Sequence, residues 1–166
     1  MSLQHAVLVV DDDPDARESL CRLIQRAGFA CFAAEDGAQA LGILSREKVE
    51  VILADYDMPG MDGTELLNAV AVSHPHVSRM LLTARQDMEV AVRALNTGQA
   101  YRFLNKPCRA SELLTAIHFA VEAADQHAAT ERLAARLKVV DAILAEVRRR
   151  HPKLMQEIEQ RQSAAS

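Results

Sequence analysis

The sequence has no tryptophan, only three cysteines and no long apolar run. Cys21, Cys31 and Cys108 show neither CxxC pairing nor the spacing of a metal site, so we expect reduced, structural thiols, as in a cytoplasmic protein. No stretch is long and apolar enough to span a bilayer, and no secretory signal opens the chain. These absences predict a cytoplasmic location without a membrane partner.

The chain also lacks, over most of its length, the clustered basic face that nucleic-acid-binding proteins usually carry. Residues 1–124 hold 11 Lys/Arg against 17 Asp/Glu, a net charge of −6. Residues 125–166 hold 8 Lys/Arg against 6 Asp/Glu, a net charge of +2. The acidic balance of the larger segment predicts that nucleic acid is not a direct ligand.

Short apolar segments alternate with helical patterns five times within residues 1–124, which we assign to one domain. The predicted strands are residues 6–10, 29–33, 49–54, 77–83 and 101–104. Predicted helices follow at residues 14–27, 37–46, 63–74 and 87–96, and a fifth begins at Ser111. Strict alternation with short connections predicts an α/β fold with a five-stranded parallel sheet and helices on both faces. A doubly wound (βα)5 sheet with strand order 2-1-3-4-5 would make strands one and three neighbours.

Acidic residues follow two of these strands. Asp11 and Asp12 come directly after the first strand, and Asp55 comes directly after the third. In this strand order the direction of the connections reverses between strands one and three, and ligands bind outside the carboxyl ends of the strands at that switch point. The carboxylates of these two strand ends should therefore form one pocket. Magnesium prefers oxygen ligands and often keeps waters beside one or two carboxylates. The sequence therefore predicts an Mg²⁺ (or Mn²⁺) site, with a backbone carbonyl just past Asp55, which we assign to Asp57, as a further ligand.

A carboxylate in such a pocket can attack phosphorus and form an acyl phosphate. Lys106, at the end of the fifth strand, can reach one phosphoryl oxygen, and the Thr83 hydroxyl can donate to another. Together these groups form a phosphoryl-binding set in which Asp55 is the candidate acceptor.

These segments resemble the receiver domain of bacterial response regulators, the CheY-like domain, over about residues 4–124. The resemblance rests on Val9-Val10-Asp11-Asp12-Asp13-Pro14, Asp55-x-x-Met58-Pro59-Gly60-Met61-Asp62-Gly63, Thr83-Ala84 and Lys106-Pro107. It implies a flavodoxin-like fold and a place in a two-component phosphorelay. A histidine kinase or phosphotransfer protein would phosphorylate Asp55, and the domain itself would not be an enzyme.

The same resemblance implies a role for each residue of the set. Asp12 is a direct metal ligand, and Asp11 completes the acidic pocket. Thr83 is the switch hydroxyl, Lys106 the phosphate-contacting lysine and Phe103 the switch aromatic. Phosphorylation is then expected to change the surface formed by the fourth predicted helix, the fifth strand and the fifth predicted helix.

Three further charged residues flank this set. Asp57 and Arg85 each lie two residues after a site residue, and we predict that they pair across the pocket and slow dephosphorylation. The alternative is two solvated charges without pairing. Asp13, which precedes Pro14, is assigned as the N-cap of the first helix rather than as a metal ligand.

Residues 125–166 are predicted to form a helical extension with a break near Pro152. Its apolar positions follow the 4-3-4-3 spacing of a coiled-coil seam: Leu133, Leu137, Val140, Leu144 and Val147. This spacing predicts a homodimer through the C-terminal helix. An amphipathic helix folded back on its own domain is the alternative.

Two other functions fit part of the pattern. Asp55-Tyr56-Asp57 is a DxD run, as in haloacid dehalogenase-type phosphatases, but there the nucleophilic strand lies near the amino terminus and the acidic ligands follow it. A phosphorylation-independent interaction module would not need the intact set of acidic, hydroxyl and lysine side chains. We find no output domain in the sequence, so the chain is either part of a larger regulator or a stand-alone receiver.

Overall fold

The computed structural model describes residues 5–84, 89, 92, 93, 96 and 102–153. In that part of the chain the strands are β1 (Ala6–Val10), β2 (Ala30–Ala34), β3 (Val51–Asp55), β4 (Ser78–Ala84) and β5 (Arg102–Lys106). The helices are α1 (Pro14–Arg26), α2 (Gly37–Leu44), α3 (Gly63–Ser73) and α4 (Ala110–Arg150). The helix predicted at residues 87–96 lies mostly outside the described residues.

The five strands form one sheet in the order β2-β1-β3-β4-β5, and every neighbouring pair is parallel. This confirms the predicted α/β class, the strand order and the helical segment that follows the sheet. The chain passes from β1 to β2 on one side and then returns to β3 on the other. The carboxyl ends of β1 and β3 therefore meet at the switch point, where Val10 pairs with Ala54.

Apolar side chains form a core on each face of the sheet. Leu66 and Leu67 of α3 pack with Ile52 of β3 on one face. Ile24 of α1 and Ile117 of α4 belong to the core on the opposite face. Because both faces are covered, all five residues of β1 are buried, and the strand is apolar throughout instead of alternating.

Aspartate caps begin the three helices that follow the first three strands. The Asp13 side chain accepts a hydrogen bond from the Asp15 N–H, which confirms the predicted N-cap. Asp36 caps α2 in the same way. Asp62 and Glu65 form a reciprocal capping box at the start of α3. These caps hold the loops at the carboxyl edge of the sheet in defined positions.

β2, β3, β4 and β5 each extend one or two residues further toward the carboxyl edge than the apolar pattern predicted, and two of these extensions carry charged residues. β3 includes Asp55, which pairs with Leu82, and β5 includes Lys106, which pairs with Ala84. Backbone pairing with β4 continues past the last apolar residue, because a ladder hydrogen bond does not depend on side-chain polarity. Asp55 and Lys106 are therefore held by the sheet and not by a loop.

By its internal contacts the chain divides into residues 1–127 and residues 128–166. Within the first unit, α4 buries one face in the core: Leu113, Ala116, Ile117, Ala120, Val121 and Ala124. In the second unit, most residues of the remaining part of α4 are exposed. The helix ends at Arg150, two residues before Pro152. None of the described helices is long and apolar enough to cross a membrane.

Candidate functional site

Strand alternation brings three charged side chains to one face of the sheet at its carboxyl edge. The core on the α1 and α4 side of the sheet includes Val9, Leu53 and Leu104. Two residues after each of them comes a charged residue: Asp11, Asp55 and Lys106, respectively. Side chains two apart along a strand share a face, so the three charged groups project to the same side.

Lys106 joins the two buried carboxylates. Its Nζ lies 2.9 Å from Asp55 Oδ1 and 3.1 Å from Asp11 Oδ2. Asp11 is fully buried and Asp55 is only 7% exposed, whereas the Lys106 side chain keeps 34% of its surface in solvent. Buried carboxylates are costly unless they are paired. A partly exposed lysine from β5 therefore stabilises the negative charges at the ends of β1 and β3.

Backbone and side-chain donors fix Asp11 further. The Asp13 N–H donates to Asp11 Oδ1 at 3.0 Å. The Arg17 guanidinium donates to the Asp11 backbone carbonyl at 2.5 Å. Sequence reasoning missed Arg17, whose only signal was a basic residue in the first turns of the helix after the acidic run. The first turns of α1 thus contact the acidic pocket directly.

Three carboxylates lie close enough to hold one cation. One oxygen from each of Asp11, Asp12 and Asp55 lies within 4.8 Å of the others. Asp12 is exposed, and the other two are buried. A cluster of hard oxygen ligands with one solvent-facing side is the arrangement that Mg²⁺ or Mn²⁺ prefers, because such ions retain several waters. The donor set therefore fits the predicted metal.

The pocket shifts the pKa of two of its groups. Burial raises the pKa of Asp55, and the nearby Asp11 charge adds to this, although Lys106 and the Tyr56 backbone act in the opposite direction. Burial alone would lower the pKa of Lys106, but hydrogen bonds and attraction from Asp55 and Asp11 outweigh it and raise that pKa. Lys106 is therefore held as a cation beside an aspartate whose charge is poorly solvated.

Thr83 and Phe103 lie together on the other face of the sheet. Thr83 is 1% exposed, and its hydroxyl donates to the Ala84 backbone carbonyl at 3.2 Å. Phe103 pairs with Leu81, two residues before Thr83, so Thr83 and Phe103 are diagonal neighbours on adjacent strands. Phe103 is half-buried against the core on the α2 and α3 side.

The predicted pair of Asp57 and Arg85 remains a prediction. Asp57 is exposed, two residues after Asp55. Arg85 lies outside the described residues. The role of the Asp57 backbone carbonyl as a metal ligand likewise stays a prediction.

Gly63 is a structural residue of the site; the sequence analysis placed it at a helix start and in the receiver motif but assigned it no role. A Cβ at Gly63 would lie 2.2 Å from the Asp55 backbone oxygen and 2.8 Å from a Leu81 methyl carbon. The Gly63 N–H also donates to the Tyr56 carbonyl at 3.0 Å. The start of α3 therefore packs directly on the backbone of Asp55, and only glycine allows that approach.

Residues 7–118 match the family model described as the response regulator receiver domain. The chain belongs to the response regulator receiver family. This confirms the resemblance drawn from the sequence motifs. The DNA-binding transcriptional regulator NtrC of Escherichia coli (strain K12) is 37% identical to the receiver over 115 residues, which are 69% of this chain and 24% of that relative. The receiver thus spans about a quarter of the length of such relatives.

Solved structures agree with this assignment. A structure described as adenylate cyclase from Rhodopirellula baltica has a TM-score of 0.77 and 34% identity, and the match covers 80% of this chain and 98% of that one. The signal receiver domain of an HD domain-containing protein from Pseudomonas fluorescens Pf-5 has a TM-score of 0.70 and 31% identity, with 74% and 98% covered.

Family membership has direct consequences for the chemistry. Receiver domains are phosphoacceptors and not enzymes in the usual sense. They bind Mg²⁺ at an acidic pocket, and they are phosphorylated by histidine kinases. The prediction that nucleic acid is excluded as a partner is not supported, because the Escherichia coli relative is a DNA-binding regulator. The net charge of −6 describes only residues 1–124. It therefore does not indicate what another domain of the same regulator would bind.

Proposed function

We propose that this receiver accepts a phosphoryl group on Asp55 from a histidine kinase or a phosphotransfer protein, in the cytoplasm and with Mg²⁺ or Mn²⁺. The convergence of charges at the switch point carries the proposal. Carboxylate oxygens of Asp11, Asp12 and Asp55 lie within 4.8 Å of one another, and Lys106 Nζ lies within 3.1 Å of two of these aspartates.

The residues divide the chemistry between them. The Asp55 carboxylate attacks the phosphorus atom, a new O–P bond forms, and the bond from phosphorus to the donor breaks. Lys106, already at Asp55, neutralises one oxygen of the transferred group. Asp11, Asp12, Asp55 and the Asp57 backbone carbonyl would hold the cation. When bound, the cation neutralises the carboxylates and the phosphoryl oxygens.

Chemical phosphorylation with and without a divalent cation tests this function. The receiver is incubated with acetyl phosphate and either Mg²⁺ or EDTA, and its intact mass is followed. We expect one added phosphoryl group with Mg²⁺ and none with EDTA. Steady release of phosphate from a simple phosphate monoester would instead support a phosphatase, and absence of any mass gain in a folded chain would support a phosphorylation-independent module.

We also propose that Thr83 and Phe103 relay phosphorylation to the surface around β5. The Thr83 hydroxyl now bonds a neighbouring backbone carbonyl at 3.2 Å, a long bond that a charged phosphoryl oxygen can replace. Movement of Thr83 leaves space on the face that it shares with Phe103. Phe103 has no hydroxyl, so its inward position would depend on packing alone.

Thr83→Ala should separate phosphorylation from its relay. We expect Asp55 to be phosphorylated at a rate within roughly tenfold of the native rate, because one neutral hydroxyl is removed while the charged groups remain. The phosphorylation-induced change in amide exchange at residues 102–106 should disappear. Thr83→Ser keeps the hydroxyl and serves as the control that should retain this change. An unaltered exchange response in Thr83→Ala would contradict the relay.

We further propose that a second copy of the chain covers the apolar face of α4. Leu133, Leu137, Val140 and Leu144 are between 45% and 60% exposed, and Val147 is half-buried. Val139 and Ile143 are also exposed, which widens the face. Regularly spaced apolar side chains in water favour association, and the 4-3-4-3 spacing is that of a coiled coil. In this proposal residues 1–124 are the receiver and residues 125–166 the dimerising extension.

Leu144→Glu should convert the dimer to a monomer, because it places a charge within the apolar seam. Light scattering after size exclusion measures the mass directly. Ala142→Glu adds the same charge at an exposed position off the seam and should leave the dimer intact. A native chain that is monomeric both before and after phosphorylation would rule out this proposal.

The receiver is proposed to work within a larger response regulator. Its matched segment makes up 24% of the Escherichia coli relative. The receiver is also similar to that of an HD domain-containing protein, so an HD domain is a second candidate for the output domain of the larger regulator.

A further inference from the structure

Two cysteines outside the acidic pocket face each other across the gap between α1 and the edge strand β2. The Cys31 thiol donates to Cys21 Sγ at a distance of 2.9 Å. Both sulfur atoms also lie near the Phe32 carbonyl oxygen, at 3.6 Å from Cys31 and 4.0 Å from Cys21. All three cysteines of the chain are free thiols in the structure, as the sequence predicted.

We infer that Cys21 and Cys31 form an oxidation-sensitive dithiol that hydrogen peroxide converts to an intramolecular disulfide between α1 and β2. The 2.9 Å separation of the sulfur atoms exceeds a sulfur–sulfur bond of about 2.05 Å by less than an ångström. Small side-chain rotations can close that distance. Both residues are half-buried, and β2 lies at the edge of the sheet, so a small oxidant can reach them.

The surroundings of the pair distinguish the attacking sulfur from the resolving one. The hydrogen bond from Cys31 lowers the pKa of Cys21 and outweighs the effect of burial, and the positive charge of Arg17 lowers it further. The same hydrogen bond and burial raise the pKa of Cys31. Because the thiolate is the reactive form of cysteine, Cys21 attacks first.

Hydrogen peroxide is the only oxidant that formation of the disulfide requires. The Cys21 thiolate attacks one peroxide oxygen, the O–O bond breaks, hydroxide leaves and a sulfenic acid remains on Cys21. The Cys31 sulfur then attacks the Cys21 sulfur, the S–O bond breaks and the leaving oxygen departs as water after taking a proton. Two thiols are oxidised to one disulfide, and peroxide is reduced to two waters. A cellular dithiol or glutathione reverses the bond by exchange.

The cross-link would tie the edge strand to the helix that contacts the acidic pocket through Arg17. It closes a short loop between residues ten apart in sequence. We expect the oxidised form to melt roughly 5 to 10 °C above the reduced form, since closing such a loop restricts the unfolded chain. Amide exchange within residues 22–30 should slow on oxidation for the same reason.

Peptide mapping of the full chain tests the inference. The chain is treated with hydrogen peroxide, free thiols are alkylated, and tryptic peptides are analysed without reduction. We expect peptides 18–22 and 27–46 to appear joined by a disulfide and to separate after treatment with dithiothreitol. In Cys31→Ser, dimedone should label Cys21 as a sulfenic acid. In Cys21→Ser, Cys31 should remain alkylatable.

Cys108 is the internal control, because burial raises its pKa. It should be oxidised roughly tenfold more slowly than Cys21, as its thiolate fraction is smaller. Oxidation of Cys108 at the same rate as Cys21 would overturn the inference. So would a folded chain in which peptides 18–22 and 27–46 never join, or in which the disulfides formed link two chains.

Discussion

Replacing Gly63 with alanine is expected to lower the free energy of unfolding by roughly 3 kcal/mol, a large cost for one methyl group. A Cβ at this position would lie 2.2 Å from the Asp55 backbone oxygen. The backbone cannot rotate aside as a flexible side chain can, so either α3 or the end of β3 must shift. Chemical denaturation measures the loss of stability.

The same substitution should also slow phosphorylation, because the displaced atoms belong to the acceptor residue itself. A shift on the order of 1 Å in a reacting group can cost roughly 100-fold in rate. The initial rate of mass gain with acetyl phosphate and Mg²⁺ reports this effect independently of stability.

Gly42→Ala is the matched control for Gly63→Ala. A Cβ at Gly42, in the last turn of α2, would meet only the Arg46 guanidinium, at 3.8 Å. Alanine there should leave the rate unchanged and stabilise the helix by roughly 0.5–1 kcal/mol. A Gly63→Ala chain as stable as the native chain would show that α3 does not pack on Asp55 as described.

Lys106→Met should have opposite effects on metal binding and on phosphorylation. Nζ of Lys106 lies 2.9 Å from Asp55 and 3.1 Å from Asp11, so its charge opposes a cation bound by the same carboxylates. Without that charge, affinity for Mg²⁺ should rise roughly tenfold, as expected for charges a few ångströms apart in a solvated site. Phosphorylation should nevertheless slow roughly 100-fold, because the transferred group loses a positioned cation.

Titration calorimetry and the mass-gain assay measure the two effects separately. Lys48→Met removes an equal charge from the salt bridge between Lys48 and Glu50, whose lysine is largely exposed, and should change neither quantity. If Lys106→Met weakened Mg²⁺ binding, the competition between lysine and metal would be wrong. If it left the phosphorylation rate intact, Lys106 would have no part in the transfer.

Much of the fold followed from the sequence, because the strands are built around short apolar runs and each early helix begins at an aspartate cap. Alternation of these elements predicted the parallel sheet, and the family resemblance supplied the assignment of Asp55, Thr83 and Lys106. The strand ends were less accurate: Asp55 and Lys106 belong to β3 and β5, since backbone pairing with β4 continues beyond the last apolar side chain.

Three contacts between separate elements were not predicted from the sequence. The double contact of Lys106 with Asp11 and Asp55 requires the relative register of four strands. The close packing of Gly63 on Asp55 depends on the path of the loop between β3 and α3. Cys21 and Cys31 carry no spacing signal, and they meet only because α1 packs beside the edge strand.

The most direct test of the central claim is to locate the phosphoryl group on the intact chain. The native chain and Asp55→Asn are incubated in parallel with acetyl phosphate and Mg²⁺, and the intact mass of each is measured. The phosphorylated species is then fragmented to locate the phosphoryl group. The account predicts one added phosphoryl group in the native chain, placed on Asp55, and none in Asp55→Asn of unchanged fold. An equal mass gain in Asp55→Asn, or no gain in a folded native chain, would contradict it.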